Sequence, residues 1–322
     1  MTFHRLLSSP MVRAMLALVG MLLLGTLLHA DGAFFHWATH RDMLRQISVC
    51  GIIACGMTLV VITGGIDLSV SSVLASSAVG FSLLTIHLQA NPWLAIVLVL
   101  LAGALVGSIT GVLVGRFAIQ PFVVTLAAMV LLRGLAKRLS GGQKISTYVA
   151  ASDRNVELPR IFELIDARVL GDEIAIVTVI LFVCVAVSAF LLRRTRLGRY
   201  FYATGGNIEA ARLSGVPVMR TLVLAYALSG LFAAVAGICQ AAQEQQGDPE
   251  TSVGYELQAI AIVVIGGTNL SGGRGGMGLT LAGALTIGYL QKILSINAVG
   301  EASRLMLTGI IIVCAVLLQR RK

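Results

Sequence analysis

Apolar runs long enough to cross a bilayer recur along this chain from near its first residue to its last, and no other feature limits its fold so strongly. A hydrocarbon core of about 30 Å takes roughly 20 residues of helix at about 1.5 Å rise each. Lipid offers no hydrogen bonds to backbone groups, so runs of this kind must be helical. Composition agrees: 57% of the 322 residues are hydrophobic and 12% are charged, against about 25% charged in ordinary soluble domains.

The runs fall at about 12–28, 46–63, 70–87, 93–114, 118–139, 173–192, 221–242, 256–267, 277–294 and 303–319. The expectation is an all-α polytopic membrane protein, a single transmembrane domain over 1–322 with about ten helices. The eighth run, 256–267, is too short to cross alone, so it either begins earlier or dips in and returns. Met1 to Arg5 precede the first run and Arg13 stands at its start, as in a signal peptide. Leu28 stands where a cleavage site needs a small residue, and an uncleaved first span is expected.

Charge placement gives the orientation. With the N-terminus in the cytoplasm, Arg5, Arg13, Arg116, Arg193, Arg194, Arg196, Arg199, Arg212, Arg220, Arg274, Arg320, Arg321 and Lys322 lie inside, 13 of the 24 basic residues. Many of the rest sit in the long outer loop at 140–172, which counts less as an orientation signal. Only Asp67 and Glu209 of the 15 acidic residues fall inside, so both ends are expected in the cytoplasm. The net charge of +9 is distributed over connectors between spans, which argues for membrane orientation and against nucleic acid as a partner.

Two connectors exceed what a turn requires. Ser140 to Asp172 mixes charges with Pro159 and reads as a partly folded outer cap. Arg193 to Arg220 is the most basic stretch of the chain. Its centre, Asn207 to Leu213, lies between Gly205-Gly206 and Gly215-Val216-Pro217, which predicts a short surface helix suited to docking.

Gly103, Gly107, Gly111 and Gly115 form a small-residue face on the fourth span, where another helix can approach closely, within this chain or across a dimer. A second pattern occurs twice. Gly64-Gly65-Ile66-Asp67-Leu68-Ser69 follows the second run, and Gly266-Gly267-Thr268-Asn269-Leu270-Ser271 follows the eighth. In one reading the glycines break the helix and Asp67 or Asn269 caps the next one. In the other these are broken helices whose backbone and polar side chains line a solute path.

Other motifs carry no chemistry. Gly273-Arg274-Gly275-Gly276-Met277-Gly278 matches the dinucleotide fingerprint formally, but it follows a membrane span instead of a strand. No Gly-Lys dipeptide occurs, which excludes a P-loop ATPase in this chain. His36, His40 and Asp42 lie beside Trp37 in a short outer connector and read as interfacial anchoring instead of a metal site. Cys50, Cys55, Cys184, Cys239 and Cys314 stand singly in apolar stretches, as small core side chains. No catalytic set, cofactor site or metal site is evident, so the chain is expected to be no enzyme.

Three stretches, in order, resemble the permease subunits of bacterial ATP-binding-cassette (ABC) importers for ribose, related monosaccharides and autoinducer-2. They are distantly similar to the permeases for branched-chain amino acids. The stretches are Gly56-Met57-Thr58 through Gly64-Gly65-Ile66-Asp67-Leu68-Ser69-Val70; Thr195-Arg196-Leu197-Gly198-Arg199-Tyr200 through Gly205-Gly206-Asn207 to Arg212-Leu213-Ser214-Gly215; and Gly254-Tyr255-Glu256-Leu257-Gln258-Ala259-Ile260 through Gly266-Gly267-Thr268 to Gly272-Gly273. The likeness runs from about residue 43 onward.

The resemblance implies a multi-pass protein of the bacterial inner membrane that pairs with a second permease copy or a homologous permease. It implies an ABC ATPase subunit below and a periplasmic solute-binding protein above. Glu209-Ala210-Ala211 followed by Gly215 resembles the superfamily's coupling motif, so Gly205, Gly206, Asn207, Glu209, Ala210, Ala211, Arg212 and Gly215 form the expected ATPase-coupling loop. Gly64, Gly65, Asp67, Ser69, Gln258, Gly266, Gly267 and Asn269 are the expected translocation-path residues. Gln258 and Ser71 depart from the family, where Asp and Gly are common, and solute identity could turn on them. Branched-chain amino acids or nucleosides are alternative solutes, and an ion-coupled secondary transporter is an alternative mechanism.

Overall fold

The structure, a computed structural model, describes residues 9–147, 157–300, 302–307 and 309–310. Arg5, Arg320, Arg321, Lys322 and Cys314 lie outside the described residues, as do 148–156 of the outer connector and most of the expected tenth span at 303–319. Residues 302–307 at its start are helical.

In chain order the helices are α1 (Pro10–Leu27), α2 (Trp37–Ile62), α3 (Val70–Ser82, continued by a π turn over Leu83–His87), α4 (Pro92–Phe117) and α5 (Pro121–Ser140). Then come α6 (Arg160–Asp166), a two-stranded ribbon β1 (Arg168–Val169) and β2 (Ile174–Ala175), α7 (Ile176–Arg194), α8 (Arg196–Gly206), α9 (Ile208–Leu213), α10 (Val218–Glu244), α11 (Tyr255–Gly266) and α12 (Met277–Ile296). Among the described residues, seven of these segments are long and apolar enough to cross a membrane. α5 has the length but carries Arg133, Lys137 and Arg138. The protein is thus an all-α membrane protein of many spans.

α2 and α10 form the centre. Side chains of α2 from Ile47 to Ile62 are buried, and a Cβ on Gly56 would fall 2.8 Å from the Ser229 Cα of α10, so the two backbones nearly touch. The four cysteines among the described residues are buried in this core and unpaired. α1 and α4 lie at the periphery, and Leu16, Leu23, Leu27, Leu101 and Leu105 stay exposed, as lipid-facing residues should. The small-residue face of α4 packs within the chain. Cβ atoms on Gly103, Gly107 and Gly111 would strike the backbone or side chains of α10 around Gly230, Tyr226 and Val223, while Gly115 is only in ordinary contact with Met219. Close backbone approach of this kind replaces the hydrophobic drive that lipid does not supply.

One boundary differs from the sequence expectation. The sequence starts the second span at about 46, yet α2 starts at Trp37, so His40 and Asp42 are helical and not in a short connector. The connector between α5 and α7 explains the extension. Trp37 donates to Glu173, Arg41 donates to the Asp172 carbonyl at 3.0 Å, Asp42 pairs with Arg168 at 2.9 Å, and Arg45 pairs with Asp166. These polar residues pair with one another beyond the apolar stretch, which lets the helix outrun it. His40 lies against Phe34 and Tyr289.

α11 does not begin early. Gly254 precedes it with φ +87°, and the segment from Gln245 to Gly254 turns back into the protein. Nη1 of Arg133 holds it there by donating to the carbonyls of Pro249 and Thr251, and Ser252 Oγ donates to the Ser71 carbonyl.

A glycine junction and a candidate solute path

The basic connector folds as two helices and not one. Thr195 caps α8, accepting from Gly198 N, and Asn207 caps α9, its Oδ1 accepting from Ala210 N at 2.9 Å. α9 follows the expected short helix. Asn207, Glu209, Ala210 and Arg212 are exposed, Ala211 faces inward, and Glu209 and Arg212 pair with each other at 3.1 Å. Gly215 ends the segment with φ +78°, a left-handed conformation that disfavours a side chain. α9 is thus an exposed six-residue knob bounded by Asn207 and Gly215.

Gly205 and Gly206 separate α8 from α9, as the sequence leads one to expect, and their main-chain atoms also make contact with two other segments. Gly273 N donates to the Ile62 carbonyl at 2.9 Å, joining the end of α2 to the residues after the second glycine repeat. A Cβ on Gly205 would land on that bond, against both the Ile62 oxygen and Gly273 N. Likewise a Cβ on Gly272 would fall 2.7 Å from the Gly205 oxygen and 3.0 Å from the Gly64 Cα. The first repeat, the second repeat and the basic connector therefore meet backbone to backbone at one junction. Tyr202 of α8 adds a bond to the Gly275 carbonyl at 2.9 Å, and burial pushes its phenol pKa up, keeping the hydroxyl a donor.

Neither repeat caps the helix that follows through its Asp or Asn. The N-cap positions are Ser69 for α3 and Gly276 for α12. Asp67 instead forms a local turn, Oδ1 accepting from Ser69 N at 3.0 Å and Ser69 Oγ at 2.6 Å, while Oδ2 accepts from Ser229 Oγ at 2.7 Å. Asn269 accepts from Ser271 N and donates to the Gly272 carbonyl. The residue types suit such turns as well as caps, and the distance to the next helix decides between them.

Asp67 also sits deeper than its sequence position suggested. Ser229 is the twelfth residue of α10, about 16 Å from the start of that helix, so the carboxylate lies well within the bundle and not at a span end. It is 1% exposed, enclosed by its three donors. Gly65 is buried against Tyr226, and Gly266 against α12 at Leu279; Gly64 is exposed, and Gly267 lies near Pro10 of α1. Gln258 stands apart from this group. It lines a separate cavity of about 450 Å³ with Gln46, Gln291 and Tyr255.

Arg133, Glu256, Ser71 and Ser72 border another cavity, of about 420 Å³. In the sequence Arg133 stands inside the fifth apolar run and Glu256 at the edge of the eighth, and ionisable residues at membrane depth ordinarily mark function.

The model of the family described as branched-chain amino acid transport system / permease component matches residues 41–316. The ribose import permease protein of Escherichia coli (strain K12) is 39% identical over 282 residues, covering 87% of this chain and 85% of that one. That of Bacillus subtilis (strain 168) is 40% identical over 282 residues, 87% and 84% of the two chains. The L-arabinose transport system permease protein of Escherichia coli (strain K12) is 35% identical over 308 residues, 94% and 90%. No solved structure matches.

Proposed function

The chain belongs to the family of branched-chain amino acid transport system permease components, and from that premise we propose that it is the membrane-spanning subunit of an ABC importer for a monosaccharide such as ribose. The single observation that carries the sugar is the 39–40% identity to ribose import permeases over most of both chains. The family's description mentions amino acids, so branched-chain amino acids are the second reading.

In this proposal ten spans place both ends in the cytoplasm of a bacterial inner membrane, and residues 1–322 form one permease domain. Two permeases pair, an ATPase subunit docks below, and a periplasmic binding protein delivers the solute. ATP is hydrolysed in the partner. The knob of α9 receives that motion, and α8 carries it to the glycine junction. There the ends of both repeats touch α8 directly, so a shift of the connector displaces the segments leading into α3 and α12 together. Alternating access follows if those segments bound the path. The geometry supports this chain of contacts because main-chain atoms cannot yield as long side chains can.

The test is uptake against ATP hydrolysis in the assembled importer. Glu209→Ala and Gly215→Ala are expected to lower sugar uptake more than tenfold with ATP hydrolysis retained and the protein folded. Wild-type uptake in both variants would remove the coupling assignment. Saturable uptake of labelled leucine or of a labelled nucleoside, with none of labelled ribose, would replace the sugar.

A further inference from the structure

We propose that the cavity bounded by the first turn of α3, the middle of α5 and the first turn of α11 is a subsite for hydroxyl groups of the transported solute, an assignment that rests on the transport reading above. Ser71 and Ser72 line it and are 1% and 0% exposed, yet neither Oγ has a hydrogen-bond partner. Glu256 Oε2 is likewise buried and unpartnered. Buried polar atoms are nearly always paired, so three unpaired ones around one cavity point to an occupant.

Local structure explains why these hydroxyls are free. Elsewhere in the bundle Thr58 and Thr85 donate to the carbonyl four residues back, within their own helices. α3 begins at Val70, so for Ser71 and Ser72 that carbonyl belongs to the non-helical turn at Asp67 and Leu68. The serines lie just beyond Asp67 along the chain and form the buried floor of the cavity, which opens at the surface between α5 and the segment before α11, where Val130, Lys137, Glu250 and Val253 are exposed.

Its chemistry suits a neutral polyol. Glu256 accepts hydrogen bonds, the two serine hydroxyls donate or accept, and a sugar hydroxyl can answer either. Met129 and Val130 offer an apolar wall for the carbon face of a ring. The charged residues balance: Arg133 and Lys137 against Glu250 and Glu256, with Lys137 and Glu250 paired at 2.6 Å. A volume of about 420 Å³ lies within the ordinary range for small-ligand pockets, about 300–1,000 Å³. Arg133 is a positioning residue, fixing the Pro249–Thr251 backbone so that Ser252 reaches Ser71.

The test uses the full importer in liposomes, reading ribose uptake and binding-protein-stimulated ATP hydrolysis separately. Ser72→Ala should lower uptake about two- to tenfold and Glu256→Gln about tenfold or more, the ratios set by one neutral and one charged hydrogen bond. Stimulated hydrolysis should stay within about twofold of wild type. Ser72→Ala should also leave the unfolding midpoint unchanged or higher, because the deleted hydroxyl bonds to nothing. Ser188→Ala, which removes an equally buried unpartnered hydroxyl on α7, should transport normally. Active wild type with undiminished Ser72→Ala and Glu256→Gln uptake overturns the subsite alone. Wild type that carries no sugar while hydrolysing ATP overturns the transport reading, and the subsite with it.

Discussion

Gly205 and Gly206 are adjacent, both end α8, and are expected to respond oppositely to alanine. A Cβ on Gly205 would fall 2.7 Å from Gly273 N and closer still to the Ile62 oxygen, where ordinary contact starts at 3.4 Å. The junction must open by at least about 0.7 Å, a displacement that separates the two atoms of the Gly273 N to Ile62 O bond. Overpacking costs about 1–3 kcal/mol and the bond about 0.5–1.5 kcal/mol, set against a gain of up to about 1 kcal/mol from alanine in a helix. The net loss is about 2 kcal/mol, which for a chain of 322 residues is a fall in unfolding midpoint of roughly 3 °C. Around Gly206 an added Cβ meets nothing within 4 Å, so Gly206→Ala should hold or raise the midpoint. The assay is thermal unfolding of each purified variant in detergent, followed by uptake in the reconstituted importer, where only Gly205→Ala should be impaired. Equal midpoints for the two variants, or wild-type uptake by Gly205→Ala, would refute the close-packed junction.

Gly107→Leu should disrupt the α4 and α10 contact and lower the midpoint by more than Gly115→Ala, which meets Met219 only at ordinary distance. Asp67→Ala strands the buried hydroxyls of Ser69 and Ser229, at about 1–3 kcal/mol each, whereas Asp67→Asn keeps an acceptor oxygen for one of them. Thermal unfolding should therefore rank wild type, Asn, Ala; an alanine variant as stable as wild type would contradict the bonding described. A cysteine placed at Asn207 should resist an impermeant thiol reagent applied outside intact cells and react in inverted vesicles. Labelling from outside would reverse the proposed orientation.

Most of the bundle was legible because lipid makes the rule simple: apolar runs of the right length become helices. Expected spans at 93–114, 221–242 and 277–294 became α4, α10 and α12 within a few residues. The rule failed where polar side chains find partners outside the lipid, as at Trp37 to Arg45, whose pairing with the outer cap has no periodic trace in the sequence. It also gave no sign of α8, an amphipathic helix whose Gly205-Gly206 ending looks like a break until the backbones it touches are seen. The junction joins residues more than 60 positions apart through main-chain atoms, and single-sequence pattern carries no record of such contacts. Arg133 and Glu256 do show in the sequence as a charge within the fifth apolar run and one at the edge of the eighth, but Lys137 and Arg138 share the fifth run, so pattern alone does not set Arg133 apart.

The central claim is that this chain conducts a sugar only when a separate ATPase drives it through the α8 and α9 connector. Its most direct test is labelled ribose accumulation in liposomes holding the permease, its ATPase and its binding protein, with ATP and the ion gradient varied independently. Accumulation that requires ATP and ignores proton and sodium ionophores is the expected result. Uptake that persists without ATP and collapses with the ion gradient would contradict it.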